Sequence, residues 1–193
     1  ARNSNKITKL DGDQTIVPGN DGRYLNSLLV GESIGVFYGP RFAGADPANG
    51  DALYFLPDGK TTTNDYDAAG NFVVGNPNPD WIGGLNNTVN YKGIELSVLF
   101  QGVFGNQIQN GGGGFMSASF DWFDNQTSDQ LDRWQNPGDV TNVPQLRLGN
   151  GNGINASSRY VEDGSYVRLK NVTLSYNLPS SLLTKLKIRS AKI

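Results

Sequence analysis

The sequence predicts an all-β fold, an antiparallel meander, and three observations carry that prediction. From Val172 to Leu178 apolar Val172, Leu174, Tyr176 and Leu178 alternate with polar Thr173, Ser175 and Asn177, the period of a strand with one apolar and one polar face. Within Gly84–Gly102 two further alternating arms fold onto each other about Lys92–Gly93 with their apolar faces in coincidence. The 193 residues also hold 25 Gly, 9 Phe and 8 Tyr with abundant Asn, Asp, Ser and Thr, a composition suited to strands and turns.

The remaining composition removes several function classes. There is no Cys and no His, which excludes a disulfide framework and thiolate metal sites and leaves out the usual catalytic base and strongest nucleophile. A net charge of −2, with no basic run longer than the Lys185–Lys192 region, argues against a nucleic-acid partner. Ala1–Leu10 is polar and unlike a signal peptide. No run of about 18 apolar residues is present to form a transmembrane helix. The mean hydropathy of −0.43 fits either a soluble β protein or a membrane barrel, whose strands of about ten residues escape hydropathy windows.

Taken in order, Lys6–Leu10 is a short strand candidate before the turn Asp11–Gly12–Asp13, and Leu28–Val30 and Ile34–Tyr38 form an apolar cluster punctuated by Gly31 and Gly35. Gly39–Pro79 reads as loop, rich in Gly, Asp, Asn and Pro around an aromatic island at Leu53–Leu56. The hairpin follows. A two-residue turn at Lys92–Gly93 sets Tyr91 opposite Ile94, Val89 opposite Leu96, Asn87 opposite Val98 and Leu85 opposite Phe100, and a slip of one residue would put the faces in conflict. The pattern then dissolves until about Tyr160. In Tyr166–Leu178 apolar Val167 and Leu169 are out of phase with Val172–Leu178, so a bulged residue is expected near Lys170–Asn171. A short helical turn at Ser180–Leu186 and a last strand beginning near Lys187 complete the chain.

A short turn at one end of the Ile94–Phe100 strand and a very long loop at the other is the asymmetry of an outer-membrane barrel. On that reading Ile94–Phe100 runs outward and Tyr166–Leu178 returns inward. Apolar rows face lipid, Tyr91 and Tyr176 lie near the inner interface, Arg168 and Lys170 lie toward the outer rim, and Glu95, Ser97, Thr173, Ser175 and Asn177 face the lumen. The alternative is a soluble β-sandwich that uses the same rings as core.

Three ordered blocks then carry a resemblance: Pro79–Asn110 (PDWIGGLNNTVNYKGIELSVLFQGVFGNQIQN), Asp132–Arg147 (DRWQNPGDVTNVPQLR) and Ser158–Ile188 (SRYVEDGSYVRLKNVTLSYNLPSSLLTKLKI), preceded by Gly31–Gly44 (GESIGVFYGPRFAG). Together they resemble the C-terminal portion of the SusC/RagA family of TonB-dependent outer-membrane transporters. The resemblance implies that residues 1–193 are one partial segment of a large transmembrane β-barrel, roughly 22-stranded as such transporters are, with long extracellular loops. It also implies energy-coupled import of oligosaccharides or peptides in a Bacteroidota-type bacterium, a SusD-like surface lipoprotein as lid, and TonB acting on a plug. No plug, TonB-contacting box or terminal aromatic residue occurs in these residues, so an excerpt of a longer protein is expected.

No enzyme is expected. The only acid–base candidates, Glu162–Asp163 and Asp129–Asp132, read as solvated loop charge, and Gly111–Gly114 lacks the Lys-Ser or Lys-Thr of a phosphate cradle and reads as a flexible loop. No cofactor is expected; the one metal option is calcium at Asp65 and Asp67, in Asp65-Tyr-Asp67-Ala-Ala-Gly70, where Ala69 and Asn76 stand in place of two ligands of the full pattern. Substrate contact is expected at Trp122, Phe123, Trp134 and Asn125, with Phe120 nearby, because flat rings among amides and carboxylates suit sugar rings. The competing role for those rings is to pack the long Phe104–Asn155 loop. A soluble carbohydrate-binding module using Trp122 and Trp134 is the alternative function.

Overall fold

In a computed structural model the structure describes residues 1–13, 25–118, 125–149, 151–189 and 191–193. The strands are β1 (Asn26–Ser27), β2 (Val36–Pro40), β3 (Phe42–Ala45), β4 (Ala52–Phe55), β5 (Thr62–Thr63), β6 (Asn71–Gly75), β7 (Trp81–Tyr91), β8 (Ile94–Phe104), β9 (Gln107–Gln109), β10 (Val161–Asp163) and β11 (Tyr166–Tyr176). Two short helices, α1 (Gly113–Ala118) and α2 (Ser180–Leu186), accompany them. Among the described residues no helix is long and apolar enough to cross a membrane. The fold is all-β, and the span read as one segment contains two compact units: Ala1–Asn3, Pro79–Gly105 and Ser165–Ile193, and Ser4–Asn78 with Asn106–Gly164.

The first unit is an antiparallel sheet in the order β11-β8-β7. Its register is the one the alternation requires, with Tyr91 opposite Ile94, Val89 opposite Leu96, Asn87 opposite Val98 and Leu85 opposite Phe100. Lys92 (φ 48°) and Gly93 (φ 88°) both take the left-handed conformation, as a two-residue hairpin turn matched to strand twist demands. On the other side of β8, Leu169 pairs with Phe100 and Asn171 with Leu99, the register shifting between them. Lys170 is thus the extra residue of a bulge, and it brings Val167 and Leu169 into the same row as Val172, Leu174 and Tyr176. Arg168 pairs with Gln101 and leaves the apolar row.

The sheet extends past these three strands at both edges. Arg2 bridges to Trp81 and Lys192 to Asn177, both antiparallel. Ile82 N–H donates to the Ala1 carbonyl (2.9 Å), and Tyr176 N–H to that of Ile193 (2.7 Å). The last strand expected from Lys187 therefore starts later: Lys187 is itself the left-handed cap of α2 (φ 55°), and among the described residues pairing resumes at Ala191–Ile193.

The second unit corrects the loop reading of Gly39–Pro79. Short strands form three small sheets, β1-β2-β6, β3-β4-β5 and β9-β10, around a core of Leu25, Phe37 and Ala156 with Val74 and Val161 packed on it. Side chains stitch distant segments by hydrogen-bonding backbone. Phe42 N–H donates to Ser158 Oγ (3.0 Å), Ala52 N–H to Asn152 Oδ1 (2.8 Å), and Asn152 Nδ2 to the Gly50 carbonyl (2.8 Å). Asn and Ser thus replace long ladders in satisfying the backbone. Lys6–Leu10 forms no strand; Ile7 is tied through its backbone to Gly31 and Glu32 instead.

The glycine run at Gly111–Gly114 is not a flexible loop either. Gly113 and Gly114 open α1 and are buried. A Cβ on Gly113 would sit 2.5 Å from the Tyr160 ring, and one on Gly114 would collide with the Ile154 carbonyl. Close approach is what selects glycine there.

Candidate functional site

Two places bear on function: the polar face of the β11-β8-β7 sheet, and the interior of the second unit. On the polar face Glu95, Ser97, Thr173 and Ser175 share one surface, because Ser97 pairs with Thr88 and Thr173, and Glu95 with Asn90 and Ser175. Thr88 Oγ1 donates to Ser97 Oγ (3.2 Å), which donates to Asn86 Oδ1 (3.3 Å). Lys192 Nζ lies 2.6 Å from Glu95 Oε1, and Asn177 bridges to Lys192. The residues read as lumen-facing are therefore gathered on one surface. Ser175 differs from the rest in being buried, its hydroxyl without a partner among the described residues, so a larger side chain there meets packing and Thr173 is the exposed position of the row.

The opposite face is apolar and uncovered. Leu85 is 62 % exposed and Leu174 69 %, and Val89, Tyr91, Ile94, Phe100, Val167, Leu169 and Val172 are exposed with them. Neither face of β7 is buried.

In the second unit Trp134 is 5 % exposed and its indole N–H donates to the Pro47 carbonyl (3.2 Å). A Cβ on Gly50 would lie 2.6 Å from the indole ring. Trp134 thus takes the packing role and presents no open face to a sugar. Asn125 is exposed. Trp122, Phe123 and Phe120 lie outside the described residues.

The expected calcium ligands are both exposed, and Asp65 Oδ1 accepts the Asp67 N–H (3.0 Å), the local turn that Asp favours. Among the described residues no three Asp or Glu side chains converge into a metal-binding group. Of the acidic pairs, Glu162 accepts from Asn110 Nδ2 (3.2 Å) and Asp129 from Thr127 and Ser117.

A feature that sequence reading does not single out is a polar cavity of about 210 Å³ lined by Asp51, Tyr54, Asn64, Arg147 and Asn155, among others. Asp51 lies 2.5 Å from the Arg147 guanidinium and accepts from Asn64 (2.8 Å) and Asn49 (3.1 Å). Partial burial pushes its carboxyl up. Hydrogen bonds from Asn64 and Arg147, the Arg147 charge and the Asn49 bond outweigh that, and the group titrates below the ordinary carboxylate value. A second cavity of about 550 Å³ is walled by Phe42, Phe55 and Val143, with Asp129, Asn142 and Arg159 at its polar side.

Burial raises three tyrosines here, pushing Tyr160 up to about 12 and Tyr54 and Tyr66 also above their ordinary value. A raised folded value means that the folded state holds its protons longer. The stability linked to these neutral phenols is therefore complete below pH 10.0 and is lost as pH rises toward about 12. Following tyrosinate absorbance with alkali should show ionisation and loss of structure in this unit together within that window. Free titration near 10.0 with structure retained would contradict the burial.

No family model matches the chain. The chain is 31 % identical over its whole length to TonB-dependent receptor P3 of Formosa agariphila (strain DSM 15362 / KCTC 12365 / LMG 23005 / KMM 3901 / M-2Alg 35-1). It is 34 % identical over 92 % of its length to receptor P26 of the same organism. Among solved structures it is similar to the RagAB peptide transporter, with a TM-score of 0.77, 28 % identity and coverage of 97 % of this chain and 21 % of that one. The RagAB peptide importer in its open-open state gives a TM-score of 0.76 at 28 % identity, over 92 % of this chain and 19 % of that one. The chain spans about a fifth of the curated relatives it matches, 20 % of P3 and 19 % of P26. Sequence and backbone agree, and the resemblance of this chain to the SusC/RagA family of TonB-dependent receptors is borne out by these relatives.

Proposed function

We propose that β7, β8 and β11 are wall strands of an outer-membrane barrel in a transporter that imports an oligomeric nutrient, oligosaccharide or peptide. TonB acting on a plug supplies the energy, and a SusD-like lipoprotein closes the outer mouth. The observation that carries this reading is the division of the sheet into an exposed apolar face and a polar face. Each of the three strands has 11 residues, enough to cross the hydrocarbon core, which takes about 9–11 tilted residues. In water so continuous an apolar surface is costly, and a soluble sandwich would cover it with a second sheet. Against lipid it is the required surface, while Glu95, Ser97 and Thr173 line a wet interior.

Uptake is the test. In cells of the source organism, entry of labelled oligosaccharide and peptide pools is measured with and without the gene, and with the energising proton gradient collapsed. One pool is expected to lose entry under both treatments. Equal entry of both pools under all conditions would overturn the proposal.

A further inference from the structure

We infer that the inner end of the β11-β8-β7 sheet docks the anionic phospholipid headgroups of the leaflet it meets; the inference rests on the barrel reading above. Backbone bonds gather this end. Asn177 N–H donates to the Gly93 carbonyl (2.8 Å), which ties the Lys92–Gly93 turn to the end of β11. Lys192 bridges to Asn177, so the connection through α2 leaves the sheet and rejoins it at the same end. Left-handed Lys187 closes α2, and Ile188 N–H donates back to the Leu183 carbonyl (3.1 Å), a helix stop that reverses the chain.

Positive charge is concentrated on these two connections. Residues 178–193 hold Lys185, Lys187, Arg189 and Lys192 and no Asp or Glu, in a chain whose formal net charge is −2. Lys192 pairs with Glu95 on the polar face. Among the described residues no carboxylate pairs with Lys92, Lys185, Lys187 or Arg189, and all four are exposed. Like charges crowded at one end repel one another, and an anionic surface relieves that repulsion. A basic side chain in a helix's last turn also suits the helix dipole, but that role accounts for Lys185 alone.

What adjoins the cations selects lipid as the partner. Tyr91 pairs with Ile94 and Ile94 with Tyr176, the last row of the exposed apolar face. The Lys92 ammonium stands over the Tyr91 ring (5.2 Å), which sets one cation at the margin of the lipid-facing surface. Glu95 lies on the other face with Lys192, so no carboxylate interrupts the passage from apolar row to basic end. Leu182 and Ile188 are exposed among the remaining cations. Amphipathic rings at the edge of an apolar band, followed by alternating cations and aliphatic side chains, are the make-up of an element that lies in a membrane interface.

The full-length protein, with a fluorophore on Ser181→Cys, is placed in phosphatidylethanolamine bilayers, and local quenching by doxyl-labelled phosphatidylglycerol is compared with quenching by doxyl-labelled phosphatidylcholine at equal mole fraction. At low salt the anionic lipid is expected to associate at least about fivefold more strongly, the effect of one cation near an anionic surface. Added salt should reduce that preference by screening. Lys92→Asn, Lys185→Gln, Lys187→Asn and Arg189→Gln combined should abolish it, Asn being the residue that keeps the two left-handed positions. Arg168→Gln with Lys170→Gln, toward the outer rim, should leave it intact. Equal association of the two lipids with the wild-type protein would overturn the inference and leave the basic end to an acidic protein partner. A preference unmoved by salt, surviving the combined inner substitutions, or lost with the outer-rim pair would overturn it as well. Energised uptake that persists beside any of those results leaves the transporter standing without the lipid surface. A preference that depends on the inner cations, with uptake independent of the gene, leaves the lipid surface standing on a barrel that does not import.

Discussion

Leu174→Arg is expected to stop the full-length protein from assembling in the outer membrane, while Thr173→Arg, one residue away, assembles near the wild-type level. Leu174 sits in the exposed apolar row opposite Leu96, and Val89 lies beyond it in the same row. An Arg in the middle of that row costs roughly 2–4 kcal/mol if the row faces the bilayer midplane, a large part of the stability of a whole domain. Thr173 is on the opposite face beside Ser97 and is exposed, so Arg there points into water. Ser175 makes a poor control because its side chain is buried, and Arg there would fail for reasons of packing. Heat-modifiable mobility of the protein extracted from outer membranes measures assembly. Equal tolerance of Leu174→Arg and Thr173→Arg would refute the assignment of faces.

Trp134→Ala is expected to loosen the second unit while the barrel strands stay embedded. The indole is buried, bonded to Pro47, and wedged where Gly50 leaves room for it. Truncating a buried Trp costs roughly 3–5 kcal/mol, and a unit held by strands of two to five residues has little in reserve. Limited proteolysis of the full-length protein should therefore cut within residues 125–149 faster in Trp134→Ala, with strand pairing in the membrane intact. If Trp134 instead stacked on a sugar, the substitution would weaken glycan binding with no change in the cleavage rate.

What could be read from the residues divides along the same line as the two units. The β7-β8 register was legible because only one pairing makes Leu85, Val89 and Tyr91 coincide with Phe100, Leu96 and Ile94. The bulge at Lys170 was legible as a phase slip between Leu169 and Val172. Period-2 patterning fails where strands are as short as Asn26–Ser27 or Thr62–Thr63. The bonds that replace it, such as Phe42 to Ser158 and Ala52 to Asn152, join residues far apart in the chain and leave no local signal. For the same reason the cavity was hidden. Tyr54 stood out only as part of an aromatic island, and its meeting with Asp51, Asn64 and Arg147 is made by the fold. Trp134 misleads in the opposite direction, since a Trp among polar residues looks like a binding face until its burial is seen.

Spin labels at Leu96→Cys and Ser97→Cys, in the full-length protein in lipid bilayers, give the most direct test of the central claim that this sheet is barrel wall. Leu96 lies in the apolar row and Ser97 in the polar one, so the relaxation enhancement from membrane-dissolved oxygen should dominate at residue 96 and that from a water-soluble nickel chelate at residue 97. Like accessibility at both positions, or the reverse order, would contradict it.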